Sequence, residues 1–190
     1  MDYASASEDD LITAIEELEE AQSLPNIIAL VTANVSRGED FETVIDEGLS
    51  AISRCLGSAD LSAEIGNDIT VCALKVFEDW AMSPSVIEAC FALSRKVSDQ
   101  QSCKESACTS FARNVSALVS CVRANAVGEG TLVEQACLTF ENVGLSSPAN
   151  AALSKAGGAA DAVEEARGSI TNERHVGYPD RALRAINGSV

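Results

Sequence analysis

The sequence predicts an all-α protein, an α-solenoid of about four stacked helical units. Three observations predict it. Of 190 residues, 46% are hydrophobic but only 4% aromatic, and 29 are alanine, the best helix former. Second, a pattern recurs at equal steps of 44 residues: Ile27-Ile28-Ala29-Leu30-Val31, Val71-Cys72-Ala73-Leu74-Lys75, Val115-Ser116-Ala117-Leu118-Val119 and Ala159-Ala160-Asp161-Ala162-Val163. Third, a related series lies between these copies, running Asp46 to Arg54, Ile87 to Arg95, Glu134 to Asn142 and, more weakly, Arg181 to Ile186. Each copy places small or apolar residues at helical spacing, as Ala89, Ala92, Leu93 and Val97 do. A unit of this size cannot bury its apolar face alone, so neighbours must stack.

The elements follow in order. Ser7, with Asp10 three residues on, caps a first helix near 8–22, and its acids suit the helix dipole. Pro25 opens the next helix, near 25–36, and Gly38 and Gly57 bracket another over 40–56. Gly66 divides 60–66 from 68–82, and Pro84 opens 85–98. Helices over 101–110, 112–126 and 131–144 follow, with Gly128, Gly130 and Gly144 near their ends. Pro148 opens 148–156, the Gly157-Gly158 pair turns into 158–169, and a last helix spans 173–187. The single domain over 1–190 divides into units near 8–37, 38–82, 83–126 and 127–170, with a partial unit over 171–190.

Charge narrows the partners. The formal net charge is -16, and eight acids but no Lys or Arg fall in the first 36 residues. Nucleic acid and anionic membranes are therefore disfavoured, and the first helix offers a solvated face or a docking edge for a basic partner. The seven cysteines show no CxxC spacing and read as reduced core residues. With no signal-peptide pattern and no apolar stretch beyond Ile27 to Val31, a cytoplasmic or nuclear setting is expected, not secretion.

Material for catalysis is thin, so no enzyme, metal or cofactor is expected. His175, the sole histidine, sits in a polar connection where an exposed loop or helix-start role is expected. Cys103 and Cys108 lack a nearby histidine for a zinc site, and no histidine follows the Glu16-Glu17-Leu18-Glu19-Glu20 run at the spacing of a di-metal helix. Gly157-Gly158 lacks the Lys and Ser/Thr of a phosphate loop. Trp80 reads as a packing residue between units.

Over 8–188, and most clearly over 131–170, the sequence resembles the armadillo-repeat family. Leu132-Val133-Glu134-Gln135-Ala136-Cys137-Leu138 is similar to the start of that family's third helix, Pro148 to Ala156 to its first helix, and Ala156-Gly157-Gly158-Ala159 to its corner between the first two. HEAT units, with two helices each, are the alternative. The resemblance implies a right-handed solenoid whose third helices line a concave groove that binds extended peptides. Import receptors of the family carry groove Trp and, four residues later, Asn; the positions matched here are Ser50 and Arg54, Phe91 and Arg95, Leu138 and Asn142, and Arg184 and Gly188. Only Asn142 fits, so a nuclear-import role is not implied. Arg54, Arg95 and Arg184 suit carboxylates of an acidic peptide, or answer neighbours such as Glu47 and Glu88, and Phe91 is an expected apolar anchor.

The function expected is thus a non-enzymatic protein-binding module. The alternative is a structural subunit docking through its acidic N-terminal face and an apolar C-terminal edge formed by Leu183 and Ile186.

Overall fold

The computed structural model describes residues 3–56 and 61–189; Asp2, Gly57 and the first residue of the expected 60–66 helix lie outside them. The described residues form an all-α fold without strands. Its helices are α1 (Glu8–Glu20), α2 (Leu24–Asn34), α3 (Glu42–Cys55), α4 (Ala63–Asp79), α5 (Pro84–Asp99), α6 (Lys104–Arg113), α7 (Val115–Asn125), α8 (Gly130–Ser146), α9 (Pro148–Ala156), α10 (Ala159–Ala166) and α11 (Tyr178–Ile186). None is long and apolar enough to cross a membrane.

Local chemistry sets the helix starts. The Asp10 N–H donates to Ser7 Oγ at 3.3 Å, and Ser62 and Ser147 cap α4 and α9 in the same way. Pro25, Pro84, Pro148 and Pro179 occupy the opening positions of α2, α5, α9 and α11. Gly158, at φ +85°, makes the left-handed corner between α9 and α10.

Two glycines expected at helix ends lie inside helices instead. Ala63–Asp79 form one helix, α4, across the expected break at Gly66, where the missing side chain makes room for a neighbour: a Cβ there would stand 2.5 Å from Cys103 Sγ. At Gly144, a Cβ would meet the Ala185 backbone at 2.7 Å, so α11 lies directly on α8. The last helix begins at Tyr178 rather than near 173, since residues 173–177 form turns.

The helices pack in two rows. One runs α1, α3, α5, α8, α11, each on the next, and the other runs α2, α4, α7, α10; α6 and α9 flank them. Hydrogen bonds tie neighbours within a row. Lys96 Nζ donates to Ser53 O at 2.8 Å, 43 residues away, and Thr139 Oγ1 donates to Phe91 O at 3.2 Å, 48 away. Trp80 Nε1 reaches Val35 O at 2.6 Å, giving Trp80 a packing role between α4 and the end of α2.

Burial corrects the equal steps of 44. Ile27, Leu30 and Val31 are buried in α2, but in α4 Val71 is 63% exposed and Leu74 is half-buried. The buried counterparts are Ile69, Cys72 and Ala73, followed by Val115, Leu118 and Val119, then Ala159, Ala162 and Val163. The steps are therefore 42, 46 and 44 residues, and a slip of two residues turns a helix face by about 200°.

The core is continuous. Phe77, Phe91 and Phe140 meet at ring distances of 4.7 and 6.2 Å, and all seven cysteines are free and buried. At one end α1 exposes Asp9, Asp10, Glu16, Glu17 and Glu20, giving the solvated acidic face. The apolar edge expected from Leu183 and Ile186 at the other end is covered. Ile186 is buried and Leu183 packs against the core, while Asp180, Arg184 and Asn187 face outward.

Candidate functional site

Of the expected binding residues, Ser50, Leu138 and Arg184 fall in one register on the outer face of α3, α5, α8 and α11. The alignment follows from the buried side. Val44, Ile45, Leu49 and Ile52 in α3 correspond to Val86, Ile87, Phe91 and Ser94 in α5, a step of 42. The next step is 46, to Leu132, Val133, Cys137 and Phe140 in α8, and another 46 reaches Ile186 in α11. Ser50, Ala92, Leu138 and Arg184 then form one column; the first three are half-buried and Arg184 is exposed.

Phe91 and Arg95 are one residue out of this alignment, and one residue is about 100° of helix rotation. Phe91 accordingly points inward and is fully buried, so it is not a peptide anchor. Arg95 is half-buried, with Nε enclosed and without a hydrogen-bond partner.

Arg54 and Asn142 are already engaged. Arg54 Nε and Nη2 donate to Glu19 at 2.6 and 2.7 Å, and Nη2 also donates to Glu47 at 2.5 Å. The hydrogen bond from Arg54 holds the Glu19 carboxyl below its ordinary range. Asn142 Nδ2 donates to Ser98 Oγ at 3.0 Å and Arg95 O at 3.4 Å, joining α8 to α5 instead of facing a partner backbone. Gly188 follows α11 at φ +66°.

The same alignment places four carboxylates in a row: Asp46, Glu88, Glu134 and Asp180. Residue matching anchored on the arginines missed it. The signal was a recurring hydroxyl, two apolar residues and an acid: Thr43-Val44-Ile45-Asp46, Ser85-Val86-Ile87-Glu88 and Thr131-Leu132-Val133-Glu134.

The row differs from end to end. Glu134 Oε2 lies 2.7 Å from His175 Nδ1, and the His175 ring stacks on Tyr178 at 4.7 Å. His175 is therefore a half-buried link to α8, not a free loop residue. Asp180 Oδ1 accepts from Arg167 Nη2 at 2.6 Å. Asp46 and Glu88 have no ion pair among the described residues. Burial, then Glu129, Asp46 and Glu134, push the Glu88 carboxyl up; burial, then Glu47 and Glu42, push Asp46 up.

Chemistry elsewhere is limited. Burial pushes the Cys121 and Cys137 thiols up to about 12, far from the thiolate range. Among the described residues, no group of three or more His, Cys, Asp or Glu is placed to hold a metal ion. Comparison with family models, curated proteins and solved structures gives no match for this chain.

Proposed function

We propose that the chain is a right-handed α-solenoid of about four armadillo-like units, and that its third helices α3, α5, α8 and α11 bind an extended segment of a partner protein without catalysis. The two helix rows and the hydrogen bonds spanning 43 to 48 residues support the stacked reading. Seven free, buried thiols suit a reducing compartment such as the cytoplasm.

The observation that carries the binding reading is the unpaired half of the carboxylate row. Packed helices lie about 8–10 Å apart, and an extended chain in the polyproline II conformation advances about 3.1 Å per residue with three residues per turn. Every third residue of a segment crossing the row therefore meets the next helix. Lys or Arg at such positions offers a counter-charge to Asp46 and Glu88, both raised first by burial and then by neighbouring acids, while Ser50, Ala92 and Leu138 supply a small or apolar floor. The structural-subunit reading retains one supporting observation, the exposed acids of α1.

Selection of random peptides against the whole chain tests this. Ligands with basic residues three apart are expected, losing about tenfold in affinity, or about 1.4 kcal/mol, against Asp46→Asn/Glu88→Gln without a lower melting temperature. Ligands lacking that pattern, with unchanged affinity for the variant, refute the reading. Loss on Glu16→Gln/Glu17→Gln instead supports docking through α1.

A further inference from the structure

A second surface lies along the corners that join the two helix rows. Three consecutive corners, 35–41, 80–83 and 126–129, are fastened in line: Ser36 Oγ donates to Asp79 Oδ2 at 2.7 Å, Trp80 Nε1 to Val35 O at 2.6 Å, and Asn125 Nδ2 to Ala81 O at 2.6 Å. The two most exposed large apolar side chains among the described residues stand on neighbouring corners, Met82 at 79% and Val127 at 94%. Single exposed apolar residues are ordinary on a surface, but a pair held on adjoining rigid corners is an anchor geometry.

Each tip overlooks a cleft. A cavity of about 430 Å³ beside Met82 is walled by Glu39, Glu42, Glu78 and Asp79 over Trp80, and one of about 530 Å³ lies beside Val127. Neither has Lys or Arg among its described lining residues. Ser83 and Ser85 both donate to Glu42, keeping a negative charge at the first cleft.

We propose that this corner edge docks a basic amphipathic helix from a partner protein, with apolar side chains seated on Met82 and Val127 and cationic ones over the carboxylates. Adjacent corners are separated by one helix packing distance, about 8–10 Å. Seven residues of an α-helix rise about 10.5 Å, so apolar positions i and i+7 match the two tips. The carboxylates select a cationic partner and repel anionic lipid. This edge shares Glu134 with the carboxylate row of the third-helix face but not the unpaired Asp46 and Glu88, so its docking stands or falls separately.

Methyl NMR on the full chain gives a direct test, because Met1 and Met82 are its only methionines. The probe is a synthetic Lys/Ala helix of roughly 18 residues with Leu at two positions seven apart, and the control replaces both Leu by Ser. The Leu helix is expected to shift the Met82 methyl and to bind about tenfold more tightly than the control. Met82→Ser and Val127→Ser each lower its affinity about fivefold, while Asp46→Asn/Glu88→Gln leaves it within about twofold. Both tips are exposed, so neither substitution threatens the fold. Equal binding of the two helices, or parent-like binding by Met82→Ser and Val127→Ser, overturns the proposal. So does loss that follows Asp46→Asn/Glu88→Gln, which places the helix on the third-helix face, or self-association abolished by Met82→Ser, which makes a second copy the occupant.

Discussion

Asn125 joins two turns of the chain: its Nδ2 donates to Ala81 O at 2.6 Å and to Cys121 O at 2.8 Å. The side chain is only 5% exposed, so water cannot replace it easily. Asn125→Ala is expected to lower stability by about 1–3 kcal/mol, read from urea unfolding, because the Ala81 carbonyl loses its donor. An unchanged urea midpoint would remove the corner-fastening role.

The link between Glu134 and His175 predicts a local effect. Glu134 is 7% exposed, and its hydrogen bond to His175 holds the 173–177 turns against α8. Arg181 provides a second tether, with Nε 3.0 Å from Glu141 Oε1. His175→Ala is expected to cost about 1–3 kcal/mol and to speed amide exchange in α11 while leaving α1 to α3 unchanged. Uniform acceleration along the chain would contradict a local clamp.

Helix type and approximate boundaries were legible because Pro, Ser and Gly act through neighbouring backbone; Pro84, Ser7 and Gly158 each sit where their chemistry requires. The rotation of each helix was less legible. Matching Arg54 with Arg95 gives a step of 41, whereas burial of Leu49 and Phe91 fixes 42, and that single residue carries Phe91 from the surface into the core. Gly66 and Gly144 were misread for a related reason, since close approach by Cys103 and Ala185 is a tertiary event. The carboxylate row was present in the sequence, but it becomes visible only when the apolar pairs Val44-Ile45, Val86-Ile87 and Leu132-Val133 are superposed.

Gly144→Ala opposes two effects of known sign. Alanine favours a helix interior by about 1 kcal/mol over glycine. Here its Cβ would stand 2.7 Å from the Ala185 carbonyl carbon and 2.9 Å from its oxygen, and backbone cannot rotate away as a side chain can. The expected net result is destabilisation of about 1–3 kcal/mol, with α11 displaced from α8. A raised melting temperature would mean that α11 yields freely.

The cysteines predict slow chemistry. Burial pushes Cys72 up to about 11 and Cys121 and Cys137 up to about 12, and all seven thiols are buried. A disulfide reagent at pH 8 should therefore label the native chain only at the rate of opening, and label all seven at once in denaturant. Rapid native labelling of any core thiol would show an opening that the packing does not provide.

Asp46 and Glu88 give the pH dependence its sign. Burial, followed by neighbouring acids, raises both carboxyl pKa values in the fold, so the folded chain holds protons that the unfolded chain has released. Over that window stability rises as pH falls. Glu19, lowered by its hydrogen bond to Arg54, and Glu42, lowered by Ser83 and then Ser85, act oppositely: their contribution is lost as pH falls through their own lower range. Asp46→Asn/Glu88→Gln isolates the first effect. At pH 7 the variant should melt about 1–2 °C higher, the scale of a surface change of about 0.5 kcal/mol. Near pH 4.5 the parent is partly protonated at both positions, and the gap should narrow. A gap that stays constant from pH 7 to about 4.5 would mean that the gain comes from packing and not from relieved charge.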